Sequence, residues 1–483
     1  MNEDEHSENF GGASVLASRI DASCRVPLLA LFNCAALWLA LGLALELLAS
    51  LTFHMPEQFG NCAWLTYGRL VPAANDLLVY GFAIPAGLGV MLWIFARLSE
   101  TELVLPLMSV IAAHIWHLGV FIGLIAIFIG DSTGFAWLEF PRGSSVLLFA
   151  AFLLIALSAV ATFGARRERA LQPPHWFLLA ALFWFPWIYS TANLFLVAWP
   201  VRGVAQAVIG WWFANNLIFV WLALVGLGTA FYFLPKLAGK SLHSHYLALF
   251  AFWTLILFGT FCGIPAGAPV PAWLPTLSFV ASLLTIIPLI TVAMIFIKTI
   301  RGAEVQCQGG PFCYIKFGTV AFILSGLMLV VSAWPGCARI LEFTWFGQAQ
   351  TQFQILGFFT VAACGAVYEI LPRVMNFELP FPKFVRAQHW LFMLGLAFLI
   401  LPLAIGGIFQ GIKLENPHLA FADSTDAVIQ FLRVSTIGWL LLLLGSLLFA
   451  ANLLAIFFKW QCALIKAAVA AVNAPLETSE VKS

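Results

Sequence analysis

Twelve apolar stretches, each long enough to cross a bilayer, run through this chain and leave little room between them. By number they cover 27–53, 73–97, 103–130, 144–164, 176–199, 208–234, 246–264, 273–298, 317–336, 349–372, 387–410 and 428–458. A membrane-crossing helix needs about 20 such residues. Of the 483 residues, 62% are hydrophobic and 9% charged, and the mean hydropathy is +0.97. An ordinary soluble domain carries about 25% charged residues, so a water-soluble globule is excluded. In lipid every backbone N–H and C=O must be satisfied within the structure, which makes the stretches helices. The expected architecture is all-α and polytopic. It has an N-terminal tail 1–26, a twelve-helix transmembrane domain 27–458 and a C-terminal tail 459–483, with no soluble domain in the gaps.

Charge sets the expected orientation. The loops after the even-numbered stretches from the second to the tenth hold Arg97, Arg166, Arg167, Arg169, Lys236, Lys240, Lys298, Arg301, Lys316, Arg373, Lys383 and Arg386. The opposite loops hold only Arg69, Arg142, Arg202, Arg339 and Lys413. The positive-inside rule then places both termini in the cytoplasm of a multi-pass protein of a bacterial inner membrane. A net charge of +1 gives no electrostatic case for nucleic acid. The first 26 residues lack a basic segment followed by a short apolar one, so no signal peptide is expected. The nine cysteines include no CxxC or CxxCH, which excludes a zinc knuckle and covalent c-type haem. Cys307 and Cys313 share a loop without further ligands, too few for a metal site.

Three blocks carry a resemblance. The second stretch opens Gly68-Arg69-Leu70-Val71-Pro72-Ala73-Ala74-Asn75-Asp76. The sixth holds Trp211-Trp212-Phe213-Ala214-Asn215-Asn216 and ends Tyr232-Phe233-Leu234-Pro235-Lys236-Leu237-Ala238-Gly239. The tenth reads Ala349-Gln350-Thr351-Gln352, then Gly357-Phe358-Phe359, and ends Tyr368-Glu369-Ile370-Leu371-Pro372-Arg373. In order and spacing these resemble the core subunit, subunit I, of cbb3-type haem–copper oxidases, whose corresponding blocks read GRLRPLHTN, WWYGHN with YYFVPKQAG, and xHxH with YYxxPR. The resemblance runs nearly the length of the chain and implies the twelve-helix subunit I bundle.

That family binds two b-type haems and one copper through six histidines, and uses a tyrosine in oxygen reduction. Carried over by the resemblance, every one of these positions differs here. The low-spin haem ligand falls on Ala74 and one copper ligand on Asn215. The copper pair, aligned on Phe252-Trp253, falls on Pro265 and Ala266. The tyrosine falls on Gly259, and the two haem ligands of the tenth stretch fall on Gln350 and Gln352. Haem b is held by imidazole nitrogen, and copper favours imidazole or sulfur over amide oxygen. No haem or copper is therefore expected. A family glutamate that helps hold calcium corresponds to Glu139, but without haem propionates the six to eight oxygens that Ca²⁺ takes are half missing.

The remaining polar residues have plainer readings. Gln348 and Gln352 share one helix face, and Gln350 and Gln354 another, so these amides are expected to hydrogen-bond between helices. His114 and His117 lie mid-membrane and are read as neutral imidazoles bonded to neighbouring helices. Asp76 is paired with Arg69 on nearness in sequence, and Glu369 with Arg373 at i, i+4. The leading functional expectation is a non-catalytic subunit that docks a c-type cytochrome or other membrane subunits within a respiratory assembly. Two alternatives stand beside it. One is an active oxidase with displaced ligands, which requires haem b and copper. The other is a transporter or channel using the vacated volume, although the inverted repeats and broken helices common in transporters are not evident.

Overall fold

The computed structural model describes residues 3–55, 57, 62–303, 305, 307 and 309–472, with side chains from Val15 to Ala470. Every regular element among them is helical. The membrane helices are α1 (Glu3–Thr52), α2 (Tyr67–Leu98), α3 (Pro106–Ile129), α4 (Arg142–Gly164), α5 (Pro173–Ala198), α6 (Val204–Ala238), α7 (His245–Gly259), α8 (Trp273–Ile300), α9 (Pro311–Ala333), α10 (Trp345–Met375), α11 (Pro382–Leu414) and α12 (Phe421–Val472). A short helix, Pro335–Leu341, joins α9 to α10. Among the described residues, eleven of these helices are long and apolar enough to span a membrane, and α7 is the shorter apolar one.

Three helices form the centre. The most apolar windows of α2, α6 and α10 are 100%, 94% and 89% buried, against 33–56% for the other eight spans. These three carry the family-like blocks. They meet through glycines: a Cβ on Gly87 of α2 would lie 3.0 Å from Val225 of α6 and 3.1 Å from Phe359 of α10, and one on Gly226 of α6 would overlap Phe358. Small residues let backbones approach where lipid supplies no hydrophobic drive. Each central helix also widens into π turns, at Leu77–Ala83, Asn216–Trp221 and Phe353–Thr360. Such turns concentrate at functional sites in helices, and here each begins one to three residues beyond Ala74, Asn215 or Gln352.

Two ends differ from the sequence-based boundaries. The segment expected as an N-terminal tail is helical from Glu3 and packed from Ile20, which is 3% exposed. Its Asp21 accepts a hydrogen bond from Trp93 Nε1 at 2.8 Å and lies 3.6 Å from Arg97 Nε. A satisfied carboxylate lets a polar turn dock on the bundle, which hydropathy alone does not register. Likewise α12 continues to Val472, past the expected boundary at 458. Cys307 and Cys313, expected to be too few for a metal site, are joined as a disulfide.

Candidate functional site

The positions picked out by the resemblance fall into two groups on either side of α10. On one side, Ala74 of α2 is fully buried, and its neighbour Asn75 accepts a hydrogen bond from Gln352 Nε2 at 3.3 Å. On the other side, Asn215 of α6 donates from Nδ2 to the Gly259 carbonyl at 2.8 Å. Asn216 reinforces that joint by donating to the Thr260 carbonyl at 3.1 Å. Gln350, Pro265 and Ala266 line one cavity of about 230 Å³, together with Ser332 and Glu342.

The seventh span is shorter than expected, and this moves two positions. α7 ends at Gly259, so Pro265 and Ala266 lie in the following loop rather than on a helix. Gly263 adopts φ +95°, a conformation favoured by glycine, and its Cα rests against Asn215, where a Cβ would come within 2.6 Å. Pro265 lacks the N–H that continuing the helix would use. The loop is tied down instead by Glu342, whose Oε1 accepts from Ala266 N at 2.6 Å.

The glutamine faces are as the helical period requires. Gln350 and Gln354 both turn to α9, accepting from Ser332 Oγ at 3.4 Å and Ser325 Oγ at 2.6 Å. Gln352 turns to α2, and Gln348 lines a small cavity against α1 and α12. None of these side chains offers the imidazole nitrogen that holds b-type haem. The direct Gln352–Asn75 contact also joins α2 to α10. The residues present do not fit haem b, nor a copper held by imidazoles.

The loop between α3 and α4 folds inward. Thr133 Oγ1 donates to the Leu138 carbonyl at 2.6 Å, and Tyr80 of α2 donates its hydroxyl to the Trp137 carbonyl at 2.6 Å. This carries Glu139, 7% exposed, beside the fully buried Asp76. The expected Asp76–Arg69 pair is not formed: Arg69 Nη1 instead donates to the Phe128 carbonyl at 2.8 Å. Arg69 sits at the first turn of α2, and the carbonyls left free at the end of α3 are its nearest acceptors. For calcium, Asp76 and Glu139 supply two carboxylates, whereas the ion takes six to eight oxygens. No cluster of three or more His, Cys, Asp or Glu side chains suited to a metal occurs among the described residues.

Burial raises the pKa of Glu139 above its ordinary 4.5. A group whose folded pKa exceeds its unfolded value contributes stability fully below the unfolded pKa and loses it as pH rises through the folded one. The contribution of Glu139 to melting temperature is therefore greatest below pH 4.5 and is lost as pH rises through the raised value. Melting curves of the wild type and Glu139→Gln should diverge in their pH dependence across that window. Parallel curves would contradict the assignment.

The histidine pair divides. His117 Nδ1 accepts from Trp38 Nε1 of α1 at 3.2 Å, which requires an unprotonated nitrogen there, as expected. His114 instead bonds the Val110 carbonyl of its own helix at 2.7 Å and faces outward. Glu369 and Arg373 pair as expected. Sequence reasoning misses the meeting of Asp76 with Glu139, since nothing local links residues so far apart. It also passes over a row at i, i+4 and i+8, Glu46 and Ser50 on α1 and His54 just past its end, which helical spacing could reveal.

Comparison with known proteins agrees with this architecture. Residues 26–441 match the family described as cytochrome c and quinol oxidase polypeptide I. The cbb3-type cytochrome c oxidase subunit CcoN1 of Stutzerimonas stutzeri is 22% identical over 444 residues, covering 88% of this chain and 92% of that protein. Cytochrome c oxidase subunit 1 of Rhodobacter capsulatus is 24% identical over 446 residues, covering 87% and 82%. The solved structure of a haem–copper terminal oxidase dimer superposes with a TM-score of 0.67 at 14% identity, over 89% of this chain and 84% of that one, a likeness of fold. On the family match across most of its length, this chain belongs to the haem–copper oxidase subunit I family.

Proposed function

We propose that this protein is a non-catalytic member of its family: an integral-membrane subunit without haem b or copper that serves as a scaffold or partner in a respiratory electron-transfer assembly. The observation that carries the reading is the Gln352–Asn75 bond between α2 and α10, backed by Asn215 bonded to the Gly259 carbonyl. Amides and a methyl stand where the family's chemistry calls for imidazoles, and the amide nitrogens of Gln352 and Asn215 donate to neighbouring helices. The grouping of these positions on two faces of α10 supports descent from a two-haem ancestor. The close packing of α2, α6 and α10 supports a retained mechanical role, with other membrane subunits or a c-type cytochrome as the partner class. The excess of Lys and Arg on one set of loops supports both termini lying in the cytoplasm of a bacterial inner membrane.

The test is an oxygen electrode. Purified protein in proteoliposomes, supplied with reduced cytochrome c, is expected to take up no oxygen above the protein-free rate. Uptake at enzymatic turnover, about 1 per second or faster, would overturn the reading in favour of an oxidase with displaced ligands.

A further inference from the structure

One buried acid in the bundle combines an oxygen without a hydrogen-bond partner with a place on a cavity wall. Glu46, on α1 near the end of the bundle that holds the former ligand positions, is 4% exposed, and its Oε1 has no hydrogen-bond partner. An uncompensated ionisable group inside a membrane protein is costly and marks function more often than structure. Glu46 does not face tight hydrocarbon. It lines a cavity of about 30 Å³ with Ser50, Tyr67, Gln348 and Ser435, closed by Trp345 and Trp439. That volume holds a single water, which needs about 10–15 Å³, and the wall supplies the two to four polar partners such a water requires.

From this cavity a hydrogen-bonded row leads outward. The Ser50 hydroxyl lies 2.6 Å from Thr436 Oγ1 of α12, and Thr436 Oγ1 lies 2.8 Å from His54 Nε2. His54 sits just past the end of α1; the residue is partly exposed, while its Nδ1 is buried without a hydrogen-bond partner. Glu46 and Ser50 are four residues apart on α1 and share a face, and Thr436 bridges from Ser50 to His54 just past the helix end. Every member of the row can both give and accept a proton: a carboxyl, two hydroxyls and a neutral imidazole. Burial, with Arg433 nearby, lowers the pKa of His54 below its ordinary 6.5, which keeps the ring neutral near pH 7.

We propose that Glu46 is a proton-exchange site, loaded and unloaded from the aqueous phase at this end of the bundle through Ser50, Thr436 and His54. The transfer is a relay of protons along existing hydrogen bonds. A proton enters at His54 Nδ1 as the ring turns toward water, Nε2 hands one on, Thr436 and Ser50 each pass one on while their hydroxyls turn, and one water carries it across the cavity to the carboxylate. No oxidant or reductant is involved. The other charged or titratable groups facing the site are Tyr67 from α2 and Arg433 from α12. α10 and α11 present the neutral Gln348, Trp345 and Leu403. The site is separate from the residues that stand at former cofactor positions, so it does not depend on whether the chain is catalytic.

The experiment is infrared difference spectroscopy on the full chain in nanodiscs, titrated with pH and transferred to D₂O. A protonated carboxyl C=O band that titrates, and that Glu46→Gln removes, is expected. Its deuterium exchange should slow about tenfold or more in Thr436→Val, equal to at least about 1.4 kcal/mol on the barrier. Thr436→Ser, which keeps the hydroxyl, should restore the rate. His54→Phe should slow exchange in the same way and guards against misfolding of the valine variant. Three results would each overturn the proposal: no titrating band lost in Glu46→Gln, exchange unaffected by both Thr436→Val and His54→Phe, or a band that follows Na⁺ concentration at fixed pH. The last would make the site a metal-cation site instead.

Discussion

Purified from its native membrane, this protein should give no haem b in a pyridine haemochrome assay and no stoichiometric copper. A haem-bearing subunit of the family would give about two haems per chain, each held by imidazole on iron, so the expected difference is all or nothing. Ala74 offers no donor atom and is fully buried. The amides of Asn215 and Gln352 are engaged with Gly259 and Asn75. Those bonds use the amide nitrogens, and amide oxygen is a poor ligand for ferrous iron and for copper, which favour softer nitrogen or sulfur donors. The histidines left inside the membrane do not replace the lost set. His114 and His117 lie on α3, one bonded to its own helix and the other to Trp38, and α3 is outside the central trio. Finding about two haems with copper would mean that the bundle rearranges around new ligands, and would refute the proposed function directly.

Replacing Gly411 or Gly407 with alanine should be among the most damaging single-methyl changes in the chain. Both lie on α11 where it crosses the entry to α10. A Cβ on Gly411 would overlap the Ile340 carbonyl, with the Ile340 carbonyl carbon only 2.7 Å away, and a Cβ on Gly407 would overlap the Phe346 amide. These are backbone atoms of neighbouring elements, so no side-chain rotation relieves the clash and a helix must shift. Overpacking of this kind costs about 1–3 kcal/mol and sometimes more. With rigid backbone on the other side, the upper end of that range is expected. Gly210→Ala is the control. Nothing lies within 4 Å of a Cβ there, and alanine is the better helix former by about 1 kcal/mol. Thermal melting in detergent should show a clear drop for Gly411→Ala and Gly407→Ala, and no loss for Gly210→Ala. Equal behaviour of all three would mean that α11 does not approach α10 this closely.

Much of the candidate site is legible in the sequence. The pairing of Gln350 with Gln354 on one face and Gln348 with Gln352 on another follows from the helical period alone, and each pair turns as that period requires. The Glu369–Arg373 pair is legible for the same reason. The loop position of Pro265 and Ala266 is not, because an apolar run does not mark where a helix stops. The stop depends on Gly263 and on its contact with Asn215, 48 positions earlier in the chain. Nearness in sequence also misleads for Asp76 and Arg69. A residue seven positions away along a helix is two turns distant, while Glu139 arrives beside Asp76 on a folded loop.

By itself the sequence determined the all-α membrane architecture, the number of apolar helices to within one, and the residue types that stand in the three family-like blocks. Those properties reside in residue identity, in the length of apolar runs and in the fixed period of the helix, all of which are local. Tertiary structure alone decided which helices stand at the centre, which polar groups meet, and that Glu46 opens onto a cavity and a row reaching His54. Ser50 and Thr436, which join in that row, lie 386 positions apart in the chain. Their meeting depends on how α1 packs against α12, and the polarity of either segment carries no record of the face its neighbour presents.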